Sequence, residues 1–193
     1  IYTFHAFCND IIQRNPAYFG NRELEPISEL ETVDLLMKLL DGIDASNPLK
    51  RLSGQIYYDV PLMKDLFRKM KEESWTPEYI GKCIDSYLED LPLRDAFIYK
   101  KANSKKDIQA GDVKQHLIDK EADKMTKLRE ASQLFSKYRE LMKRNNRYDY
   151  NDMILWVLEA FKKDEDFLRI QQEKYLYFLV DEYQDTNGAQ NEL

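Results

Sequence analysis

The chain has 193 residues, of which 43% are hydrophobic and 12% aromatic. This length and composition allow one substantial hydrophobic core or two small ones and exclude a mostly disordered chain. With 29 Lys and Arg against 35 Asp and Glu, the net charge at pH 7 is −6, which argues against a protein that only coats nucleic acid.

Neither the apolar runs nor the cysteines indicate export or a membrane location. No apolar run approaches the roughly 18 residues that a membrane span needs, and no charged leader precedes a hydrophobic core of the signal-peptide type. Cys8 and Cys83 form neither a C-x-x-C pair nor a metal-ligand spacing with His5 or His116. We therefore expect two reduced, buried thiols and a cytoplasmic protein.

The first ten residues, IYTFHAFCND, predict a strand that turns into a helix. Residues 1–4 form a β-like run, and a helical pattern of apolar residues follows. Thr3 and His5 lie at this turn, where a hydroxyl and an imidazole could hydrogen-bond phosphates or sugars, and Phe4 or Phe7 could stack on a base. The alternative is a helix start at which Thr3 and His5 are satisfied locally.

The middle of the chain predicts amphipathic helices whose apolar faces we interpret as core. Thr32 precedes a helical stripe that stops at Gly42. Thr76 followed by Pro77 is a typical helix start, with Thr76 as the N-cap. The predicted helices cover residues 33–40, about 61–73 and 76–92, and a turn-rich connection lies over residues 47–54.

A basic segment lies within this acidic chain. Residues 100–147 carry 14 Lys and Arg against seven Asp and Glu, which leaves 15 against 28 for the remainder. Residues 100–106 are polar and basic and are predicted to form a surface loop. From Asp112 to about Arg144, apolar residues recur at three- and four-residue steps or their sums, which predicts one long helix or two joined helices. A single helix would span on the order of 50 Å.

The predicted outer face of this helical segment carries a basic stripe. One interpretation is a solvated helix face, because acids such as Glu121 and Glu130 interrupt the stripe. The other is a surface that follows the phosphates of duplex DNA. No zinc finger or other recognition motif accompanies the stripe, so sequence-specific base readout is not supported. The candidate DNA contacts on it are Lys124, Lys127, Lys137 and Arg144.

The segment YDYNDM, residues 148–153, precedes an apolar helical pattern that runs from Ile154 to Phe161. Asp149, Asn151 or Asp152 could cap this helix, because short polar side chains accept hydrogen bonds from the first free backbone amides. We weigh this capping role equally with a special function for the segment.

The stretch that organises the chain, residues 175–190, reads YLYFLVDEYQDTNGAQ. Its apolar and aromatic run over residues 175–180 predicts a buried strand. Asp181 and Glu182 follow directly, at the end of the strand where open α/β sheets bind ligands. Asp181 fits the role of holding Mg²⁺ on the phosphates of a nucleotide, and Glu182 fits that of a general base for the attacking water. For the acidic pair alone, the alternative is a solvated turn.

Two of these stretches resemble motifs of one known family. The octapeptide VDEYQDTN, residues 180–187, with Ala189 and Gln190 after it, resembles the Walker B segment, or motif II, of superfamily 1 DNA helicases of the UvrD, Rep and PcrA type. The pentapeptide TFHAF, residues 3–7, is similar to motif Ib of the same helicases. It also precedes motif II, as the order of motifs in the family requires.

The resemblance implies a role for each matching residue. Asp181 would bind Mg²⁺ and Glu182 would activate water. Gln184 and Asp185 would link the nucleotide site to neighbouring motifs. The residues of the motif Ib match that would contact single-stranded DNA are Thr3, Phe4 and His5.

The resemblance also implies an architecture that is mainly α with a small α/β part. Residues 1–20 would be one piece of the RecA-like P-loop NTPase domain 1A, and residues 21–145 a helical insertion called 1B. Residues 146–193 would return to domain 1A and end in motif II, and YDYNDM is similar to the segment at which this return occurs. We expect a strand near each end of the chain, with the two strands paired in parallel.

The complete enzyme implied by the resemblance uses ATP and Mg²⁺, translocates 3′ to 5′ on single-stranded DNA and separates duplex or junction DNA. A loop of the G-x-x-x-x-G-K-[ST] type is absent from this sequence, as are the second RecA-like domain and its arginine finger. Asp181 and Glu182 cannot support normal ATP turnover without them. Because the sequence begins with Ile1 and ends a few residues past motif II, we expect an inactive piece of a longer protein.

Two alternatives remain open. The chain could belong to the helicase part of a RecB- or AddA-like helicase-nuclease, which has a similar motif II and which a downstream nuclease domain would reveal. It could instead be a helical DNA-binding or protein-docking module that keeps a degenerate motor framework without turnover. The intact pair of Asp181 and Glu182 argues against the second alternative.

Overall fold

The computed structural model describes residues 1–20, 24–102 and 109–193 and is mainly helical. This confirms the predicted mainly helical fold with a small β part. No helix of the described residues is long and apolar enough to cross a membrane. The described α-helices are α1 (Phe4–Arg14), α2 (Pro16–Phe19), α3 (Glu29–Asp41), α4 (Val60–Glu72), α5 (Pro77–Asp90), α6 (Gln115–Arg144), α7 (Tyr150–Lys163), α8 (Glu165–Lys174) and α9 (Gly188–Glu192).

Contacts between residues divide the chain into two compact units. Unit 1 contains Ile1–Lys38, Val60–Trp75 and Tyr138–Leu193, and unit 2 contains Leu39–Asp59 and Thr76–Lys137. Helices α3 and α6 contribute residues to both units. Unit 2 falls wholly within residues 21–145, the segment predicted to be the insertion, whereas α4 belongs to unit 1 together with both ends of the chain. The predicted domain boundaries stay a prediction.

Unit 1 contains two short strands that pair in parallel, β1 (Glu25–Pro26) and β2 (Arg147–Tyr148). Glu25 lies opposite Arg147, and the Arg147 Nη1 atom is 2.5 Å from Glu25 Oε2. The Arg147 Nε atom donates a hydrogen bond of 2.8 Å to Glu31 at the start of α3. Segments that are more than a hundred residues apart in the sequence therefore meet side by side.

One core cluster of unit 1 is built mainly from α1 and α7, with Phe167 of α8 and Ala189 of α9. Cys8 and Ile11 of α1 and Val157 of α7 are completely buried. Phe167 of α8 is also buried, and the ring of Tyr18 stacks on it with 4.0 Å between the ring centroids. Burial raises the pKa of the Cys8 thiol to about 12, so Cys8 is protonated at neutral pH.

Local capping signals define the starts of three helices. Helix α3 begins at Glu29, four residues before the predicted stripe, because Ser28 and Glu31 cap it reciprocally: the Ser28 amide donates to Glu31 Oε2 and the Glu31 amide to Ser28 Oγ. The predicted cap of α5 is confirmed, since Thr76 Oγ1 accepts a hydrogen bond from the amide of Tyr79. Asp149 is the N-cap of α7, which confirms one of the predicted capping residues of that helix.

The other helices of the middle segment agree with the periodicity of the sequence. Helix α4 begins and ends within one residue of its predicted limits, and α6 is one continuous helix of 30 residues, about 45 Å long. The connection between α3 and α4 contains turns and bends and no helix. Of the predicted surface loop at residues 100–106, positions 103–106 lie outside the described residues.

Unit 2 is held together by close contacts of α5 with α6 and of the α3–α4 connection with α6. A Cβ atom at Gly81 would lie 3.2 Å from Arg129 Nη1, so the small residue permits close approach of α5 to this side chain. Arg129 also pairs with Asp85 at 2.5 Å. Asn47 donates a hydrogen bond of 2.7 Å to Glu130, which ties the connection to α6.

The predicted strand at residues 1–4 is wrong. Ile1 and Tyr2 are exposed, and α1 begins at Phe4. Thr3 has an extended backbone because it is the N-cap of α1, not because it pairs with a strand. The β-like composition is outweighed here by the local capping hydrogen bond.

The predicted strand at residues 175–180 is also wrong. These residues have no regular secondary structure, and Leu176, Tyr177, Phe178 and Leu179 are between 61% and 101% exposed. A strand needs backbone partners on a neighbouring strand, and composition does not supply them. In the described residues the parallel pair is formed by β1 and β2, so the predicted pairing of strands at the two ends of the chain is wrong as well.

The two cysteines differ in their exposure to solvent. The predicted burial is confirmed for Cys8, but Cys83 is exposed. The buried face of α5 is formed by Pro77, Ile80, Gly81 and Ile84, and Cys83 lies beside that face. The expected burial of Cys83 is wrong, because its angular position on the helix turns the thiol away from the buried face.

Candidate functional site

The acidic pair lies on an exposed turn between α8 and α9. Asp181 and Glu182 are both exposed, and Glu182 has a left-handed backbone conformation with φ 51° and ψ 43°. A single turn of 3₁₀ helix, Tyr183–Asp185, follows, and the Asp185 amide donates a hydrogen bond of 2.9 Å to the Glu182 carbonyl oxygen. The side-chain amide of Gln184 donates to Glu182 Oε2, which orients this carboxylate.

The residues after the turn anchor it to the rest of unit 1. Asn187 and Gln190 form a capping box at the start of α9, and Ala189 is buried in the core. The amide of Gly188 donates a hydrogen bond of 3.0 Å to Glu73 Oε2, just beyond the C-terminal end of α4. The acidic pair is therefore solvent-accessible, while the residues that follow it are held against unit 1 by hydrogen bonds and by the buried Ala189.

The exposed carboxylates fit the chemistry of a magnesium–nucleotide site. Among the described residues, neither Asp181 nor Glu182 forms an ion pair, and no group of three or more His, Cys, Asp and Glu is placed to hold a metal ion by itself. Mg²⁺ is commonly bound by one or two carboxylates, with the phosphates of the nucleotide and waters as the other ligands. A single exposed Asp181 oxygen is sufficient for that arrangement.

The residues of TFHAF have different surroundings. Thr3 Oγ1 accepts a hydrogen bond of 3.1 Å from the amide of Ala6, which is the local role weighed as the alternative. His5 lies edge-on to Tyr150 with 6.0 Å between the rings, and its Nε2 atom is enclosed without a hydrogen-bond partner among the described residues. Phe4 is partly buried against the core of unit 1. Of these three residues, Thr3 is the most accessible to a ligand.

The structure brings TFHAF next to the run that precedes the acidic pair. The ring of Phe7 contacts the rings of Tyr175 and Phe178, with 5.2 and 5.5 Å between the centroids. The Tyr175 hydroxyl donates a hydrogen bond of 3.4 Å to Asp10, also on α1. TFHAF therefore lies against the run that leads into VDEYQDTN.

The four basic candidates on α6 are all exposed. Lys124 and Lys127 are three residues apart, and Lys137 and Arg144 are seven apart, so each pair shares one side of the helix and the stripe divides into two patches. Lys124 pairs with Glu121 at 2.6 Å, and this hydrogen bond raises the pKa of Lys124. Arg144 approaches Glu140 at 3.5 Å.

Sequence reasoning missed a buried lysine. Lys71 is 1% exposed, and its Nζ atom lies 2.6 Å from Asp149 Oδ2 and 2.7 Å from Asp152 Oδ1. The same atom lies 5.5 Å from the centre of the Tyr138 ring. Burial raises the pKa of the Asp152 carboxyl, while the positive charge of Lys71 opposes this shift. The one available signal was a lysine on the apolar stripe of α4, four residues after Phe67.

Comparison with known proteins gives a match over the whole chain. The family model of the UvrD/REP helicase N-terminal domain matches residues 1–193. A probable DNA helicase II homolog of Rickettsia conorii is 42% identical over 62 residues, which are 32% of this chain and 10% of that protein. The DNA helicase II of Rickettsia typhi is 42% identical over 62 residues, 32% of this chain and 9% of that protein. The ATP-dependent DNA helicase PcrA of Staphylococcus aureus (strain Mu50) is 39% identical over 57 residues, 30% and 8% respectively. The chain thus covers about a tenth of the length of these relatives.

Proposed function

This chain belongs to the UvrD/REP helicase N-terminal domain family, and from that premise we propose that the complete protein is an ATP-dependent DNA helicase. The family match confirms the resemblance to helicases of the UvrD, Rep and PcrA type. The observation that carries the proposal is the family match over residues 1–193. The chain also presents the acidic pair of motif II on an exposed, anchored turn. The protein would hydrolyse ATP, translocate 3′ to 5′ on single-stranded DNA and separate duplex or junction DNA.

In this proposal Glu182 is the general base of ATP hydrolysis. Its carboxylate takes a proton from the water whose oxygen attacks the γ-phosphorus, and the bond from that phosphorus to the bridging oxygen of ADP breaks. The hydrogen bond from Gln184 limits the orientations of the carboxylate before the water arrives. Asp185 contributes its amide to the same turn.

Asp181 would hold Mg²⁺ together with the phosphates of ATP. The ion, when bound, would neutralise the charge that develops on the transferred phosphoryl group. The amide of Glu182 donates a hydrogen bond of 3.1 Å to Asp181 Oδ1, which restrains the carboxylate and leaves its other oxygen available.

DNA contact is proposed at two places. Thr3, Phe4 and His5 would contact single-stranded DNA, and the exposed position of Thr3 at the start of α1 supports this. Lys124, Lys127, Lys137 and Arg144 would contact the phosphates of duplex DNA through the exposed side of α6.

The architecture proposed for the chain is a helical 1B insertion, residues 21–145, between two pieces of the RecA-like domain 1A, residues 1–20 and 146–193. The parallel pairing of β1 with β2 supports this division, because the chain leaves and returns at neighbouring positions. The apolar side chains at residues 176–179 are exposed. We expect another part of the complete protein to cover them.

The proposal is tested by assaying the full-length protein for ATP hydrolysis with and without single-stranded DNA, and for displacement of a strand from duplexes with a 3′ or a 5′ tail. We expect DNA-stimulated hydrolysis and displacement only from the 3′-tailed duplex. Additional degradation of the DNA would indicate the helicase-nuclease alternative. Absence of hydrolysis with any DNA would contradict the proposal and favour the binding-module alternative.

A further inference from the structure

Glu73, the residue directly after α4, is in close contact with the segment that follows the acidic pair. Its Oε2 atom accepts a hydrogen bond of 3.0 Å from the amide of Gly188. A Cβ atom at Gly188 would lie 2.7 Å from Glu73 Oε2 and 3.1 Å from both the Cα atom and the carbonyl oxygen of Glu73. The end of the Glu73 side chain would have to move away, and the Glu73 backbone would have to yield by a few tenths of an ångström. Glycine therefore fits this contact without displacement, whereas an alanine would crowd Glu73.

The six-residue path from Gly188 back to Glu182 has little freedom to absorb a displacement. Asp185 and Thr186 donate backbone hydrogen bonds to the carbonyl oxygens of Glu182 and Tyr183. The side chain of Thr186 also donates to the Tyr183 carbonyl oxygen at 2.7 Å. A capping box closes the next turn, at Asn187. Movement of Gly188 would therefore be passed on to the carboxylate of Glu182.

Glu73 in turn is held in place through Lys71. The four carboxylate oxygens of Asp149 and Asp152 each accept one hydrogen bond: two come from the reciprocal capping of α7 and two from the Lys71 ammonium. The ammonium group of Lys71 also lies over the face of the Tyr138 ring, which can interact with its third proton. This completed network fixes the C-terminal end of α4 to the start of α7.

We propose that Glu73 and Lys71 are positioning residues that set the place of the acidic pair and connect it to α4. Glu73 supports Gly188 directly, and Lys71 holds the end of α4 on which Glu73 depends. Because α4 and the acidic pair both belong to unit 1, this contact links the end of α4 to the hydrolytic carboxylate within that unit. The inference rests on the proposed function, since it assigns a supporting role to residues around the base of ATP hydrolysis.

The test compares four variants of the full-length protein in steady-state ATP hydrolysis with single-stranded DNA. Glu73→Ala removes the acceptor for the Gly188 amide, and Gly188→Ala displaces the Glu73 carboxylate and crowds the Glu73 backbone. We expect each to lower kcat about tenfold with KM for ATP unchanged, because a misplacement on the order of 1 Å far from the chemistry can cost up to about a hundredfold. Glu73→Gln keeps an acceptor oxygen and should retain most of the wild-type kcat.

Glu72→Ala is the matched control, because the carboxylate of the neighbouring Glu72 pairs with Arg68 on α4 instead of with the Gly188 amide. It should retain the wild-type kcat. The inference is overturned if Glu73→Ala and Gly188→Ala turn over like the wild type, if they lower only the Tm, or if Glu72→Ala loses as much kcat as Glu73→Ala. A wild type without DNA-stimulated hydrolysis removes the proposed function itself, so the two failures are distinguishable.

Discussion

At Glu182 the backbone is left-handed, a conformation that costs a residue with a Cβ atom on the order of 1 kcal/mol. The hydrogen bonds of Asp185 and Gln184 to Glu182 hold the residue there. Among the described residues, Ser74 and Asn146 also have a positive φ without being glycine. Ser74 follows α4, and Asn146 directly precedes β2. Backbone strain in unit 1 is thus found at the acidic turn and at the ends of two elements that are fixed by long-range contacts.

The buried ammonium of Lys71 predicts a large loss of stability on its removal. Lys71→Met keeps a long apolar side chain but leaves two carboxylates facing each other without a cation. We expect the free energy of unfolding of the chain to fall by about 3 kcal/mol, the low end for breaking a buried ion pair, because Asp149 is partly exposed. Urea unfolding measures the change.

A partly exposed lysine of the same helix provides the control. Lys64 pairs with Glu29 at the surface, so Lys64→Met should cost less than about 1 kcal/mol. Adding Asp152→Asn to Lys71→Met should recover part of the loss, since it removes one of the two uncompensated charges. Equal effects of the two lysine substitutions would show that the buried network adds nothing to stability.

At the scale of single elements, the helices could be predicted because their signals are local. Thr76 with Pro77 gave the start of α5 correctly, and the spacing of apolar residues gave the limits of α4. The apolar run at residues 175–180 gave a false strand, because strand formation depends on a partner that composition does not specify. The predicted start of α3 is four residues too late, because the helix begins at the reciprocal cap of Ser28 and Glu31 and not at its apolar stripe.

The carboxyl group of Glu31, at the start of α3, is expected to make the stability of the protein depend on pH. Hydrogen bonds from the Ser28 amide and hydroxyl and from Arg147 lower the pKa of Glu31 from 4.5 to about 2. A carboxyl whose pKa is lower in the folded state contributes stability above its unfolded pKa, and this contribution is lost as the pH falls through the folded value. Wild-type Tm should therefore decline more steeply than that of Glu31→Gln between about pH 4.5 and 2.

Thermal unfolding of both proteins across this pH range measures the effect. Glu165→Gln is a suitable control, because Glu165 is highly exposed and its nearest cation, Arg169, is 3.6 Å away. Its Tm should follow the wild type. Parallel curves for wild type and Glu31→Gln would contradict the contribution of Glu31 to the junction of α3 with β2.

At the scale of the whole molecule, the informative contacts join segments that are far apart in the sequence. Glu73 and Gly188 are separated by 115 residues, and Lys71 and Asp149 by 78. No local pattern pairs such residues, so the family and the acidic pair could be predicted from VDEYQDTN and TFHAF, whereas the supports of the acidic pair could not. The contact of Phe7 with the run that precedes VDEYQDTN could likewise be found only from the structure.

The central claim is that Glu182 is the base of ATP hydrolysis. The most direct test compares single-stranded-DNA-stimulated hydrolysis by wild type and Glu182→Gln in the full-length protein, with nucleotide binding measured in parallel. Glu173→Gln makes the same chemical change at an exposed position of α8 and serves as the control. We predict that Glu182→Gln binds ATP but loses turnover by at least about a hundredfold, while the control matches the wild type. Turnover by Glu182→Gln at the wild-type rate would contradict the claim.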